Sequence, residues 1–268
     1  MLVEWLALYF GLGLAAGFMA GLLGVGGGLI MVPVLTWAFL EQGFATAYNI
    51  HLALGTSLGV IVITSISSMK AHHGHGAVDW NVFKRVLPGI VLGTLTGSWL
   101  AAYFPDRGLK VFFTCFLFYV ATQMLLGFRP KASRALPGWP GMTAAGGVIG
   151  MVSSWVGIGG GTLTVPFLSW CNVRMQVAIG TSAAVGLPIA VSGAFGYMLS
   201  GRGIDGLPEW SLGFVHLPAL ATIAAGSWLT APLGARKTHS WPVATLKRVF
   251  AALLYLLGVR MAYSLLAG

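Results

Sequence analysis

Charge is what this chain has least of. Its 268 residues include 15 Lys and Arg and 6 Asp and Glu, 8% in all, where a soluble domain carries about 25%. That scarcity excludes a soluble enzyme. The acids form no pair within the apolar runs, and neither a Ser-His-Asp set nor H-E-x-x-H occurs there, so the chain is read as no enzyme at all. The two cysteines, Cys115 and Cys171, lie within or beside apolar runs and lack C-x-x-C partners, which leaves no support for a disulfide framework or a zinc site. A G-K-[ST] phosphate loop and a Rossmann fingerprint are missing too. Neither a cofactor nor a metal is expected.

What remains is apolar sequence. Hydrophobic residues make up 57% of the chain, glycine adds 39 residues, and mean hydropathy is +0.84. At roughly 20 residues per transmembrane helix the length allows about a dozen spans at most, so loops are short and a separate catalytic or nucleic-acid-binding domain has no room. One integral membrane domain, 1–268, is expected. The first run, Leu6 to Leu23, follows no basic segment and leads into more hydrophobic sequence; it reads as a first span rather than a cleaved signal peptide.

The net charge of +9 is informative through its distribution. Lys70, Lys84 and Arg85 fall in 70–85, Arg129, Lys131 and Arg134 in 129–134, and Arg236, Lys237, Lys247 and Arg248 in 236–248, with Arg174 alone. These loops are assigned to the cytoplasm by the positive-inside bias. The remaining loops carry Arg107, Lys110 and Arg202 beside Glu4, Glu41, Asp106, Asp205 and Glu209, and are assigned outside. Basic character here reports topology in a lipid bilayer, and no nucleic-acid partner is expected.

Internal repetition is the strongest signal of organisation. GVGGGLIMVPVL at Gly24–Leu35 returns as GIGGGTLTVPFL at Gly157–Leu168, ALGTS at Ala53–Ser57 as AIGTS at Ala178–Ser182, and GSWL at Gly97–Leu100 as GSWL at Gly226–Leu229. Leu109-Lys110 before the last run of the first half is matched by Leu246-Lys247. A duplicated unit follows, with repeat one over 1–130 and repeat two over 131–268. Each half reads as a long apolar run (5–24; 139–156), the glycine block, a short run (29–40; 162–171) and three long runs (47–69, 86–104, 108–128; 176–199, 211–231, 247–266). If the short run crosses, each half has an odd number of passes, the second repeat is inverted, and every strongly basic loop lands on one side. The expected fold is an all-α polytopic transmembrane protein of two inverted repeats of about five segments each, 8 to 10 spans, with both termini outside; eight spans in parallel halves is the alternative. A run of 12 residues is only about 18 Å long against a hydrocarbon core of about 30 Å, so the helices are expected to break at the GGG motifs, and a break at membrane depth implies a cavity around it.

Three glycines ahead of a helix let backbone approach a ligand closely, and the free N–H groups at the helix start favour an anion. Candidate binding residues are therefore Gly26, Gly27 and Gly28 with Gly159, Gly160 and Gly161; the bland reading is close helix packing. Thr56, Ser57, Thr181 and Ser182 lie about ten residues into their runs, where their hydroxyls can donate to an oxyanion or bond back to their own helix. Asn49 and His51 are weaker candidates on the same stretch as Thr56, and Arg260 is a third, an intramembrane cation that could instead reach the surface. The cluster His72, His73 and His75 lacks the further ligands a metal needs and reads as a solvated loop.

The ordered set GLLGVGGGLIMVPVL, ALGTS, HGAVDW at His75–Trp80, GIGGGTLTVPFL, AIGTS and GARKTHSWPVATLKRVFAALLYLLG resembles the TauE/SafE family of membrane permeases, often described as sulfite exporters, over nearly the whole chain. The resemblance implies a bacterial inner-membrane carrier of two homologous halves, exporting a small anionic substrate such as sulfite, sulfoacetate, thiosulfate or a similar sulfur-containing anion. A channel is not separated from a carrier by sequence. An accessory or scaffold subunit that transports nothing is the other alternative, and association of identical copies is left open.

Overall fold

The computed structural model describes residues 2–23, 27–44, 46–127, 133–237 and 243–267. Among these, ten α-helices follow one another: α1 (Leu2–Leu23), α2 (Gly28–Glu41), α3 (Asn49–Gly74), α4 (Trp80–Ala101), α5 (Asp106–Leu126), α6 (Trp139–Val156), α7 (Gly161–Trp170), α8 (Met175–Ser200), α9 (Leu217–Lys237) and α10 (Val243–Ala267). A 3-10 turn over Thr46–Tyr48 leads into α3, and a two-residue hairpin, β1 (Ser211–Leu212) and β2 (Val215–His216), leads into α9. Six helices, α1, α3, α5, α8, α9 and α10, are long and apolar enough to cross a membrane. Large apolar side chains such as Leu92, Trp99, Val148, Leu256 and Leu266 stand exposed on helix surfaces, the arrangement lipid rather than water tolerates. The chain is an all-α polytopic membrane protein.

Two expectations shift. The run 211–231 does not begin as helix: Trp210 and Gly213 take positive φ values of 62° and 56°, which turns Ser211–His216 into the hairpin and delays α9 to Leu217. Lys70, Lys84 and Arg85 are not in a loop either. Helix α3 runs on to Gly74, carrying His72 and His73 in its last turn. The Asp79 carboxylate accepts from the Asn81 and Val82 N–H groups (2.9 and 3.1 Å) and so starts α4 six residues before the apolar run. Such an N-cap is worth about 1 kcal/mol.

Helices α3 and α8 are the most buried of the long helices and form the centre. Gly55 faces Tyr197 and Gly193 faces Leu58, so the two run antiparallel. Around them α1 lies parallel to α9, with Gly13 against Ile223 and Gly17 against Ser227, and α4 lies parallel to α6, with Gly89 against Thr143 and Gly93 against Gly147. A Cβ at any of these four glycines would overlap the facing backbone; the close approach explains their residue type. Cross-helix bonds add to both seams, Ser227 Oγ to Gly13 O (3.0 Å) in one and Trp155 Nε1 to Gly97 O (2.8 Å) in the other. Helices α5 and α10 pack antiparallel, Phe118 against Gly258 and Thr122 hydrogen-bonded to Tyr255. One end, the basic end, carries Lys70, Lys84, Arg85, Arg134 and Arg174; the opposite end carries the hairpin and the turns at 42–48 and 102–105.

Candidate functional site

The site grows out of the two short helices. At about 1.5 Å per residue α2 is near 21 Å long and α7 near 15 Å, and neither reaches across about 30 Å of hydrocarbon. Each starts on a glycine in the left-handed region, Gly27 at φ 71° and Gly160 at φ 79°, which residues with a Cβ rarely adopt. The two breaks touch. The Cα of Gly28 abuts the Gly157 carbonyl, and a Cβ on Gly159 would stand 3.2 Å from Ile61 and 3.9 Å from Gly186, residues near the middle of α3 and α8. The N-terminal ends of α2 and α7 therefore meet at mid-depth, where the first helical bonds run from Ile30 and Leu163 to Gly27 O and Gly160 O and the N–H groups ahead of them have no helical acceptor.

A cavity of about 270 Å³ leads to this meeting point, room for about nine waters at ~30 Å³ each. Its inner end is Ile61, Gly159 and Gly186; Thr64, Ser65 and Ser68 of α3 face Ser182 and Ala183 of α8 across it; Ala20 of α1 and Pro232 of α9 complete the walls, and His72 stands toward the basic end. Among the described residues no carboxylate lines it. A path walled by hydroxyls, with helix N-termini at its inner end and no fixed negative charge, suits an anion.

The sequence candidates separate in space. Gly27, Gly28, Gly159, Gly160 and Gly161 gather at the breaks, while Gly26 lies outside the described residues. Ser182 lines the cavity and otherwise donates to Ile179 O of its own helix (3.0 Å). Ser57 donates to Gly157 O (3.0 Å), tying α3 to the second break. Thr56 Oγ1 accepts from the His216 N–H (3.0 Å), and Thr181 Oγ1 from the Asp79 N–H (2.9 Å). Each threonine thus anchors the entry to the fourth helix of the other half. The two hydroxyl pairs stand near opposite ends of the α3–α8 crossing, about 15 Å apart along the axes. Asn49 faces α2, and with its amide turned so that nitrogen meets acceptor and oxygen meets donor it donates to Thr36 O (3.0 Å) and accepts from the Leu40 N–H (3.2 Å). His51 is buried at the opposite end with Nε2 2.8 Å from Ala101 O. Arg260 is exposed, its guanidinium 4.4 Å from the Trp37 ring centre beside a separate 60 Å³ cleft.

Sequence reasoning missed the α3 wall. Ile61, Thr64, Ser65, Ser68 and His72 recur at spacings of three and four, a helical stripe of small and hydroxyl residues inside an apolar run, and that periodicity is the signal. It also missed Thr162 and Thr164 in the first turns of α7, whose buried hydroxyls have no partner, where α2 has Leu29 and Met31.

The opposite end is shut. Tyr197 is fully buried and donates to Ser154 O (3.1 Å), and the Phe214 N–H bonds to Tyr197 O (3.1 Å) while Phe214 O lies on Gly55. His216 sits among Tyr9, Phe39 and Phe44 with ring centres 5.4–6.4 Å apart, and burial pushes its imidazole down to about 4.

Residues 9–261 match the family described as sulfite exporter TauE/SafE. A probable membrane transporter protein of Haemophilus influenzae is 38% identical over 251 residues, covering 93% of this chain and 95% of that one. The probable membrane transporter protein YunE of Bacillus subtilis is 27% identical, covering 94% and 95%, and a probable membrane transporter protein of Methanocaldococcus jannaschii is 24% identical, covering 93% and 92%. No solved structure matches.

Proposed function

Because the chain belongs to the sulfite exporter TauE/SafE family, we propose that it is a secondary carrier of a small sulfur-containing anion, sulfite foremost, exporting it across a bacterial inner membrane. The observation that carries this reading is the cavity that runs from the basic end to the meeting point of two helix N-termini at mid-depth. The anion enters among Ser65, Ser68 and Ser182 and reaches the glycine breaks, where Gly27, Gly28, Gly159, Gly160 and Gly161 allow backbone to approach it. Gly26 belongs to the same motif. Thr162 and Thr164 supply hydroxyls from α7, Ser57 closes the far side, and Thr56 and Thr181 hold the walls.

The topology that goes with this function is ten passes in two inverted repeats, 1–130 and 131–268, with both termini outside. Its support is directional: α3 against α8 and α5 against α10 are antiparallel, as an inverted pair of five-pass repeats requires, whereas parallel halves of four passes would make both pairs parallel. Basic side chains gather at one end, which the positive-inside bias assigns to the cytoplasm. Purified protein in liposomes, loaded in turn with sulfite, thiosulfate, sulfoacetate, sulfate and a carboxylate, tests the function. Efflux of sulfite or another sulfur anion above protein-free vesicles is expected; no flux of any of them overturns the reading.

A further inference from the structure

His51 presents a buried nitrogen that nothing satisfies. The residue is the third of α3, at the shut end, and its side chain is wholly inaccessible. Nε2 lies 2.8 Å from the Ala101 carbonyl, which can only accept, so Nε2 carries the hydrogen and Nδ1 the lone pair. Nδ1 has no hydrogen-bond partner. It faces Asp106 Oδ1 at 4.0 Å. That carboxylate accepts from the Ile50 N–H (2.8 Å) and pairs with Lys110 through its other oxygen. Two acceptors face each other with no hydrogen between them, an arrangement that costs free energy in a buried place. One proton on Nδ1 converts it into an ion pair.

We propose that His51 Nδ1 and the Asp106 carboxylate form a proton-binding site whose occupancy is coupled to anion transport. The step is proton uptake alone: an N–H bond forms on Nδ1 with a proton from water at that end of the protein, and no electrons move. The groups facing the imidazole are Asp106 and Lys110 from α5, the Tyr48 ring from the 3-10 turn at 5.9 Å, the Ala101 carbonyl from the end of α4, the Phe104 carbonyl from the turn after it, and the Phe214 ring from the hairpin at 5.2 Å and 33°. Burial, the largest influence, and Lys110 oppose the proton, and the Ala101 carbonyl, Asp106 and the Phe104 carbonyl favour it.

The coupling runs through the hairpin and α3. Phe214, which lies over the imidazole, is the residue whose N–H and carbonyl close the hairpin onto Tyr197 and Gly55. A charged imidazole drawn toward Asp106 leaves that ring. The same helix that carries His51 lines the cavity from Ile61 to His72, so the proton and the anion occupy separate sites on one rigid element. Where occupancy of one site changes the affinity of the other, the reverse change has the same factor. Transport of an anion with a bound proton also cancels charge that would be costly to move through the bilayer.

The inference rests on the transport reading, and its first test needs no substrate. With ring-labelled histidine and the full chain in lipid nanodiscs, NMR should show Nδ1 of His51 gaining a bonded proton as pH falls, with Asp106→Asn failing to gain it over the same range. An Nδ1 that never protonates while the protein stays folded overturns the proposal, whatever the flux. The second test uses vesicles with a trapped pH dye and external sulfite or thiosulfate. Wild-type protein should move protons with the anion, and His51→Gln, which keeps a donor for Ala101, should exchange labelled anion across the membrane but move at least tenfold fewer protons per anion. Equal proton movement in His51→Gln overturns the coupling, while absence of anion flux in the wild type overturns the transport reading instead.

Discussion

The two ends of the α3–α8 pair are built from matched sequence and differ in state. Thr56 matches Thr181, an offset of 125, so Ser65 matches Ala190 and His72 matches Tyr197. At the basic end Ser65 and His72 line an open cavity. At the opposite end Ala190 and Tyr197 are fully buried, and Ser57 is tied to Gly157 while its match Ser182 bonds only within its own helix. Matched residues therefore do not adopt matched packing. In a carrier that alternates its access, this is the form open at one side, and the closed side is held by a few identifiable contacts, among them that of Tyr197 on Ser154 O where the open side has His72.

The largest expected effect breaks the mid-depth junction that both ends share. Gly160→Val forces a β-branched residue to φ 79° and against Ile189, and Gly27→Val does the same at φ 71° beside Ala16. Each should lower flux at least 100-fold, about 2.7 kcal/mol, in liposomes where insertion has been verified. Near-normal flux in either would return the glycine breaks to simple packing.

Acid should weaken the closed end through His216. His216 has a depressed folded value of about 4 against an ordinary 6.5, so its neutral form stabilises the fold fully above pH 6.5. That contribution is lost as pH falls through about 4 and amounts to about 3 kcal/mol at ~1.4 kcal/mol per pH unit. Thermal unfolding in detergent should show the loss, and His216→Gln should flatten it; an unchanged slope would remove His216 from the account.

The threonine anchors should cost less. Thr56→Val leaves the His216 N–H without its acceptor, and Thr181→Val does so for Asp79, each at about 1–3 kcal/mol. Losses in unfolding midpoint are expected for both, the larger for Thr56, whose bond is buried where that of Thr181 is only part-buried; an unchanged midpoint in either would remove that anchor. The smallest effect sharpens the open-closed contrast itself. With Cys115→Ser and Cys171→Ser in place, Ser65→Cys should react with a water-soluble maleimide at least tenfold faster than Ala190→Cys, and equal rates would mean that both ends are open or both shut.

Much of this was legible in the chain. The glycine blocks marked both breaks, and the short runs at 29–40 and 162–171 lie within one residue of α2 and α7 at each end, because a glycine in the left-handed region stops one helix and starts the next regardless of context. The hairpin at 211–216 was not legible, since Leu212, Phe214 and Val215 continue an apolar run and only Gly213 hints at a turn. Nor were the threonine roles. Thr56 and Thr181 bond to N–H groups 160 and 102 residues away, a separation that no local pattern encodes.

The most direct test of the central claim, that the cavity at the basic end is the anion's path, is to block it. In the serine-replaced chain carrying Ser65→Cys, attachment of a bulky maleimide should lower sulfite flux in liposomes at least tenfold, whereas the same reagent on Arg260→Cys, beside the separate cleft, should leave flux unchanged. Modified Ser65→Cys that carries sulfite at its unmodified rate would contradict the account.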